Sequence, residues 1–181
     1  TCEDVVTFTG SASTGKMLRV HPKVIDEAVP FNMEADSLNA SILGQDALPG
    51  TPEFDLFIKE VRKEMTVKSG QKCTAIRRVI VPESLVEQVQ TALSKQLDKV
   101  TIGDPRLKQV RMGALVSMAQ RQSVKEQVAK IAKTASIVYG NTDEPEIIGA
   151  DAQKGSSRLL RNHHSKYHRL ILISDRFRAR R

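Results

Sequence analysis

The chain has 181 residues, 40% hydrophobic and 27% charged, which permits a packed core and excludes wholesale disorder. No apolar run is long enough for a transmembrane helix, and Thr1-Cys2-Glu3-Asp4 lacks the basic and apolar regions of a secretory signal. Two cysteines, Cys2 and Cys73, exclude a disulfide scaffold and fit a reducing, cytoplasmic setting.

The net charge of +7 suggests a nucleic-acid binder, but its distribution points elsewhere. Residues 1–155 hold 20 Lys+Arg and 20 Asp+Glu, so the whole excess belongs to residues 156–181, where eight basic residues face one acid, Asp175. This tail reads either as a basic arm for nucleic acid or an acidic partner, or as a segment foreign to the domain. The second reading is preferred, because no nucleic-acid-binding motif accompanies the charge. His164 and His168 have helical metal-ligand spacing, but no Cys and a single acid lie nearby, so no metal site is expected. Neither a nucleic acid nor a membrane is an expected partner.

Asp4–Phe8 is β-branched and reads as a strand, ended by Thr9-Gly10-Ser11, with a helix over Ser13–Val20. Strands are expected at Ala28–Met33 and Ala40–Leu43, then a Pro- and Gly-rich loop over 44–52. From Pro52 to Ser69, Phe54, Phe57, Ile58, Val61 and Met65 recur at helical spacing. Gly70-Gln71-Lys72-Cys73-Thr74 interrupts before a strand at Ile76–Val81. A second helix spans Glu83–Val100, with Leu85, Val89, Leu93 and Leu97 on one face. Gly103-Asp104-Pro105 is a turn. Ser117 and Gln120 form a capping-box pattern for a helix reaching Lys133, and Ser136–Tyr139 is a strand. Strands alternating with amphipathic helices define an α/β fold.

Three features bear on chemistry. Phe8-Thr9-Gly10-Ser11-Ala12-Ser13-Thr14-Gly15 places small residues between a strand and a helix. A phosphate can approach backbone N–H groups there, although a plain tight turn has the same composition. Cys73 lies in a polar loop beside Gly70, with Lys68 and Lys72 near in sequence. It reads as a candidate nucleophile or as an inert thiol. Glu34 follows an expected strand, where α/β sites gather, or is a solvated carboxylate.

Taken in order, Phe8-Thr9-Gly10-Ser11-x-x-Thr14-Gly15, Glu34 and Gly70-Gln71-Lys72-Cys73-Thr74-Ala75 resemble the aldehyde dehydrogenase superfamily. Gly103-Asp104-Pro105 and Met112-Gly113-Ala114-Leu115-Val116-Ser117 extend the likeness, which runs from about Val5 to about Tyr139. Most members follow the Glu with Leu-Gly-Gly-Lys, whereas here Ala35-Asp36-Ser37-Leu38 stands. With Phe31-Asn32-Met33-Glu34 this is most similar to the dehydrogenase half of the bifunctional ring-opening enzymes of phenylacetate degradation.

The resemblance implies an NAD- or NADP-dependent oxidation of an aldehyde, with a CoA-linked semialdehyde as one candidate substrate. Cys73 would be the nucleophile and Glu34 the general base. Gly10, Ser11, Thr14 and Ala35 would line the cofactor, and the Cys73 N–H would be part of an oxyanion hole. Residues 1–39 would end a Rossmann-type cofactor domain and 40–155 would belong to a partial catalytic domain. The family's oxyanion Asn, its cofactor Lys and its Glu-x-Phe-Gly-Pro segment are not found. The chain therefore reads as a fragment of an interrupted gene, expected to show no dehydrogenase turnover alone. Intact members are homo-oligomers.

Overall fold

The computed structural model describes residues 3–140 and 148–149, together with the backbone of 171–174. The chain divides into two compact units, Thr1–Leu38 and Asn39–Arg181.

In the first unit, β1 (Val6–Gly10) leads through Ser11 into α1 (Ala12–Arg19), then α2 (Pro22–Asp26) and β2 (Phe31–Ala35). The two strands pair in parallel, with Phe8 opposite Met33, Thr9 opposite Glu34 and Gly10 opposite Ala35. Ser11 caps α1 by accepting a hydrogen bond from the Thr14 N–H at 3.2 Å, and His21 caps α2 through the Lys23 N–H at 3.3 Å. The second strand starts later than the sequence suggests. Ala28 is left-handed (φ +51°) and follows α2, so the apolar run Ala28-Val29-Pro30 turns the chain and pairing begins at Phe31. The strand also runs on past Met33 to Ala35, so Glu34 sits inside β2 and not beyond its end.

In the second unit, β3 (Ala40–Ile42) and β4 (Arg78–Ile80) pair in parallel across α3 (Pro52–Thr66). Thr51 caps α3 at the Phe54 N–H (3.3 Å), Pro52 opens it, and Glu53 and Asp55 in its first turn complement the helix dipole. A short 3-10 helix (Val67–Gly70) follows. Another (Glu83–Leu85) precedes α4 (Val86–Leu97). The helical spacing seen in the sequence describes the packing: α3 buries Phe54, Ile58 and Val61, and α4 buries Val89, Leu93 and Leu97 in the same core. Val61 and Leu97 have no exposed surface.

Beyond α4, Ile102 bridges Met112 and Gly103 bridges Ile148. Ser117 caps α5 (Met118–Ile131), accepting from the Gln120 N–H at 3.1 Å, which is half of the expected capping box. Then β5 (Ala135–Tyr139) pairs antiparallel with β6 (Ile171–Ser174). Otherwise the basic tail, with His164 and His168, lies outside the described residues, as does Cys2. Among the described residues no helix is long and apolar enough to cross a membrane, and no group of three or more His, Cys, Asp or Glu is placed to hold a metal.

The predicted turn at Gly103-Asp104-Pro105 carries a charged clamp. Buried Asp104 accepts from the Arg106 backbone N–H at 3.0 Å and from the Arg106 guanidinium, with Nε at 2.9 Å from each carboxylate oxygen. The guanidinium hydrogen bonds, then the backbone one, hold the Asp104 carboxyl down at about 2, against an ordinary 3.8. A depressed folded-state value stabilises the fold above 3.8 and loses that stabilisation as pH falls toward 2. Arg106→Ala is therefore expected to flatten the pH dependence of the urea midpoint over this acid range. An unchanged acid limb would show that the clamp contributes nothing.

Candidate active site

The first unit gathers Gly10, Ser11, Thr14, Glu34 and Ala35 around the β1–α1 turn. Ser11 Oγ donates to Thr14 Oγ1 at 2.8 Å while accepting the Thr14 N–H, so both hydroxyls build the cap. No acid occupies the first turn of α1. The Ser13 N–H makes no hydrogen bond among the described residues, which leaves one donor for an anion. The Ala12 N–H is taken, donating to Asp36 Oδ1 at 3.1 Å. Asp36 is left-handed (φ +59°), a conformation glycine adopts without strain, and it falls where the resemblance noted above would place glycine. Its carboxylate therefore sits at the helix terminus. The sequence showed this departure but not its contact.

The second unit holds Cys73. α3 ends at Thr66, and Lys68 (φ +50°), Ser69 (φ +56°) and Gly70 (φ +70°) are all left-handed. Two non-glycine residues in this region cost on the order of 1–2 kcal/mol each, and local contacts hold them there. Buried Ser69 donates to the Gly113 carbonyl at 2.8 Å. Gln71 accepts the Val116 N–H at 3.0 Å and donates to the Lys68 carbonyl at 2.9 Å. The chain then makes a turn closed by the Ala75 N–H on the Lys72 carbonyl (3.2 Å). Cys73 is its second residue and is exposed.

The charges around this turn are already engaged. Glu64 accepts from Lys72 Nζ at 2.9 Å and from Thr74 Oγ1 at 3.1 Å. The Lys72 hydrogen bond, above all, holds the Glu64 carboxyl below the usual carboxylate range. The Lys72 ammonium is thus committed to Glu64, a pairing hidden by the eight-residue separation between them. Asn39 and Arg77 also contact the turn, and in the sequence each is only a polar residue beside a short strand. Glu34 belongs to the first unit and Cys73 to the second, and each is placed within its own unit.

The fold of these parts is that of solved α/β dehydrogenases. Betaine aldehyde dehydrogenase from Staphylococcus aureus in complex with NAD+ matches 90% of this chain and 29% of its own, with a TM-score of 0.73 and 22% identity. The aldehyde dehydrogenase KauB from Pseudomonas aeruginosa matches 76% of this chain and 27% of its own, with a TM-score of 0.67 and 23% identity. The chain belongs to the aldehyde dehydrogenase family, whose model matches residues 3–151. It is 49% identical, over 149 residues, to a 3,4-dehydroadipyl-CoA semialdehyde dehydrogenase of Aromatoleum evansii. That match covers 82% of this chain and 29% of the relative, so the chain spans less than a third of the relative's length.

Proposed function

We propose that this chain carries the nucleophile, the general base and part of the cofactor-binding turn of an NAD- or NADP-dependent aldehyde dehydrogenase. Its substrate class is a CoA-linked semialdehyde, a reading supported by the 49% identity to the dehydrogenase named for such a substrate. The observation that carries the chemistry is Cys73, exposed in a braced turn within Gly70-Gln71-Lys72-Cys73-Thr74-Ala75.

Cys73 Sγ attacks the aldehyde carbon, forming a C–S bond and a thiohemiacetal. NAD or NADP, when bound, supplies the hydride acceptor that turns this adduct into a thioester. Gly10, Ser11, Thr14 and Ala35 would line its place, with the open Ser13 N–H directed to a phosphate. Glu34 takes a proton from water, whose oxygen attacks the thioester carbonyl; the acid leaves and the Cys73 thiol returns.

The two half-reactions separate with p-nitrophenyl acetate, which acylates a thiol without any cofactor. Mass spectrometry of the 181-residue chain is expected to find one acetyl group on Cys73, none there in Cys73→Ala, and a longer-lived adduct in Glu34→Gln. Acetylation of Cys2 as fast as Cys73 would overturn the role of Cys73. Equal adduct lifetimes in wild type and Glu34→Gln would overturn that of Glu34.

A further inference from the structure

Cys73 is flanked by two peptide groups, and a side chain grips the carbonyl of each. Arg77 Nη2 donates to the Lys72 carbonyl at 3.4 Å, and Nη1 to the Gly70 carbonyl at 3.0 Å. The same Lys72 carbonyl also accepts the Ala75 N–H at 3.2 Å. On the other side, Asn39 Nδ2 donates to the Cys73 carbonyl at 2.6 Å and to the Ala75 carbonyl at 3.2 Å. Two carbonyl acceptors require the amide nitrogen at this position, which fixes the Asn39 orientation. The Asn39 carbonyl in turn accepts the N–H groups of Arg77 and Arg78, at 2.8 and 3.2 Å. One residue thereby ties the reactive turn to the start of the β3–β4 pair.

A trans peptide is planar, with its C=O and N–H pointing in opposite directions. Turning the Lys72 carbonyl toward Arg77 and into the turn therefore aims the Cys73 N–H away from both. That N–H has no acceptor among the described residues. We propose that Asn39 and Arg77 are positioning residues. By clamping the peptides on both sides of Cys73, they hold its N–H as a preset donor for the oxyanion that forms when Sγ attacks a carbonyl. The inference rests on Cys73 being the nucleophile, as proposed above. Neither residue touches the reacting atoms.

Two probes distinguish a set donor from a merely intact fold. In acylation by p-nitrophenyl acetate, Sγ bonds to the carbonyl carbon, negative charge builds on the carbonyl oxygen, and p-nitrophenolate leaves as the C–O bond breaks. The thiol proton goes to solvent. In alkylation by iodoacetamide, Sγ displaces iodide at a saturated carbon and no oxyanion forms. The ratio of the two rates reads the donor. It is measured on the 181-residue chain carrying Cys2→Ser, with N-acetylcysteine as reference.

The wild-type ratio is expected to exceed the reference by about tenfold or more, below the full effect of an oxyanion donor because only one is presented. Asn39→Ala and Arg77→Ala are expected to lower it toward the reference while leaving the alkylation rate and its pH profile in place. Asn39→Ser and Arg77→Lys, which keep one donor and disturb folding less, are expected to recover part of it. A raised wild-type ratio that survives all four substitutions would overturn the positioning role and leave Cys73 as nucleophile. A wild-type ratio equal to the reference would overturn the preset donor outright. A Cys73 that neither probe modifies would remove the nucleophile on which the inference stands.

Discussion

Leu97→Ala is expected to lower the unfolding free energy by about 3 kcal/mol, a shift of more than a hundredfold in the folding equilibrium. Leu97 is fully buried at the last position of α4, in the core shared with Phe54, Ile58 and Val61 of α3. Truncation removes its contacts and leaves a cavity that two helices, joined through β4, have little freedom to close. The control lies in α3 itself. Leu56 is 57% exposed, and Leu56→Ala is expected to change stability by no more than about 0.5 kcal/mol. Urea unfolding of both variants measures the contrast in midpoint at constant slope. Equal midpoints would show that the α3–α4 layer does not hold this unit together.

Gly15→Val carries the second large effect, in the other unit. Gly15 is buried in α1, and a Cβ there would lie 2.3 Å from Met33 Sδ, 2.9 Å from Met33 Cγ and 3.1 Å from Phe8 Cδ1. Phe8 and Met33 are partners across the β1–β2 pair, so the helix rests on the sheet through a residue with no side chain. Forcing a branched side chain into that contact costs about 1–3 kcal/mol and lifts the helix from the strands. Amide exchange of Thr7–Gly10 is expected to accelerate by about tenfold or more. Gly113→Ala supplies the comparison, because nothing lies closer than 3.7 Å to a Cβ there. Unaltered exchange in Gly15→Val would mean that α1 does not depend on this close approach.

What the sequence disclosed and what it hid follow from the range of the forces involved. The α3 and α4 stripes were legible because burial repeats every three to four residues: Phe54, Ile58, Val61, Val89, Leu93 and Leu97 are buried as the spacing named them, while Phe57 and Met65 are only partly buried and buried Thr66 was not named. The small-residue turn after β1 and the Cys73 segment were legible as composition and as family motifs. The start of β2 was not. Ala28-Val29-Pro30 has the apolar character of a strand, and its left-handed first residue leaves no trace in composition. Nor were the braces of the Cys73 turn legible: Asn39 reaches the Cys73 carbonyl across 34 residues and Ser69 the Gly113 carbonyl across 44, through hydrogen bonds that have no periodicity. Lys72 stands beside Cys73 in sequence, whereas the fold gives its charge to Glu64.

The braces on the Cys73 turn also bear on the order in which the molecule assembles. They join it to Asn39 on one side and to Gly113 and Val116 on the other, the last across 45 residues. Closing such long loops costs chain entropy before any contact repays it, whereas α3 and α4 form from neighbours in sequence. The helices are therefore expected to lead during refolding and the turn to set late, with the thiol on slack chain until then. Cys73 acylation, followed through refolding, is expected to lag helix formation and so to report the closing of this turn.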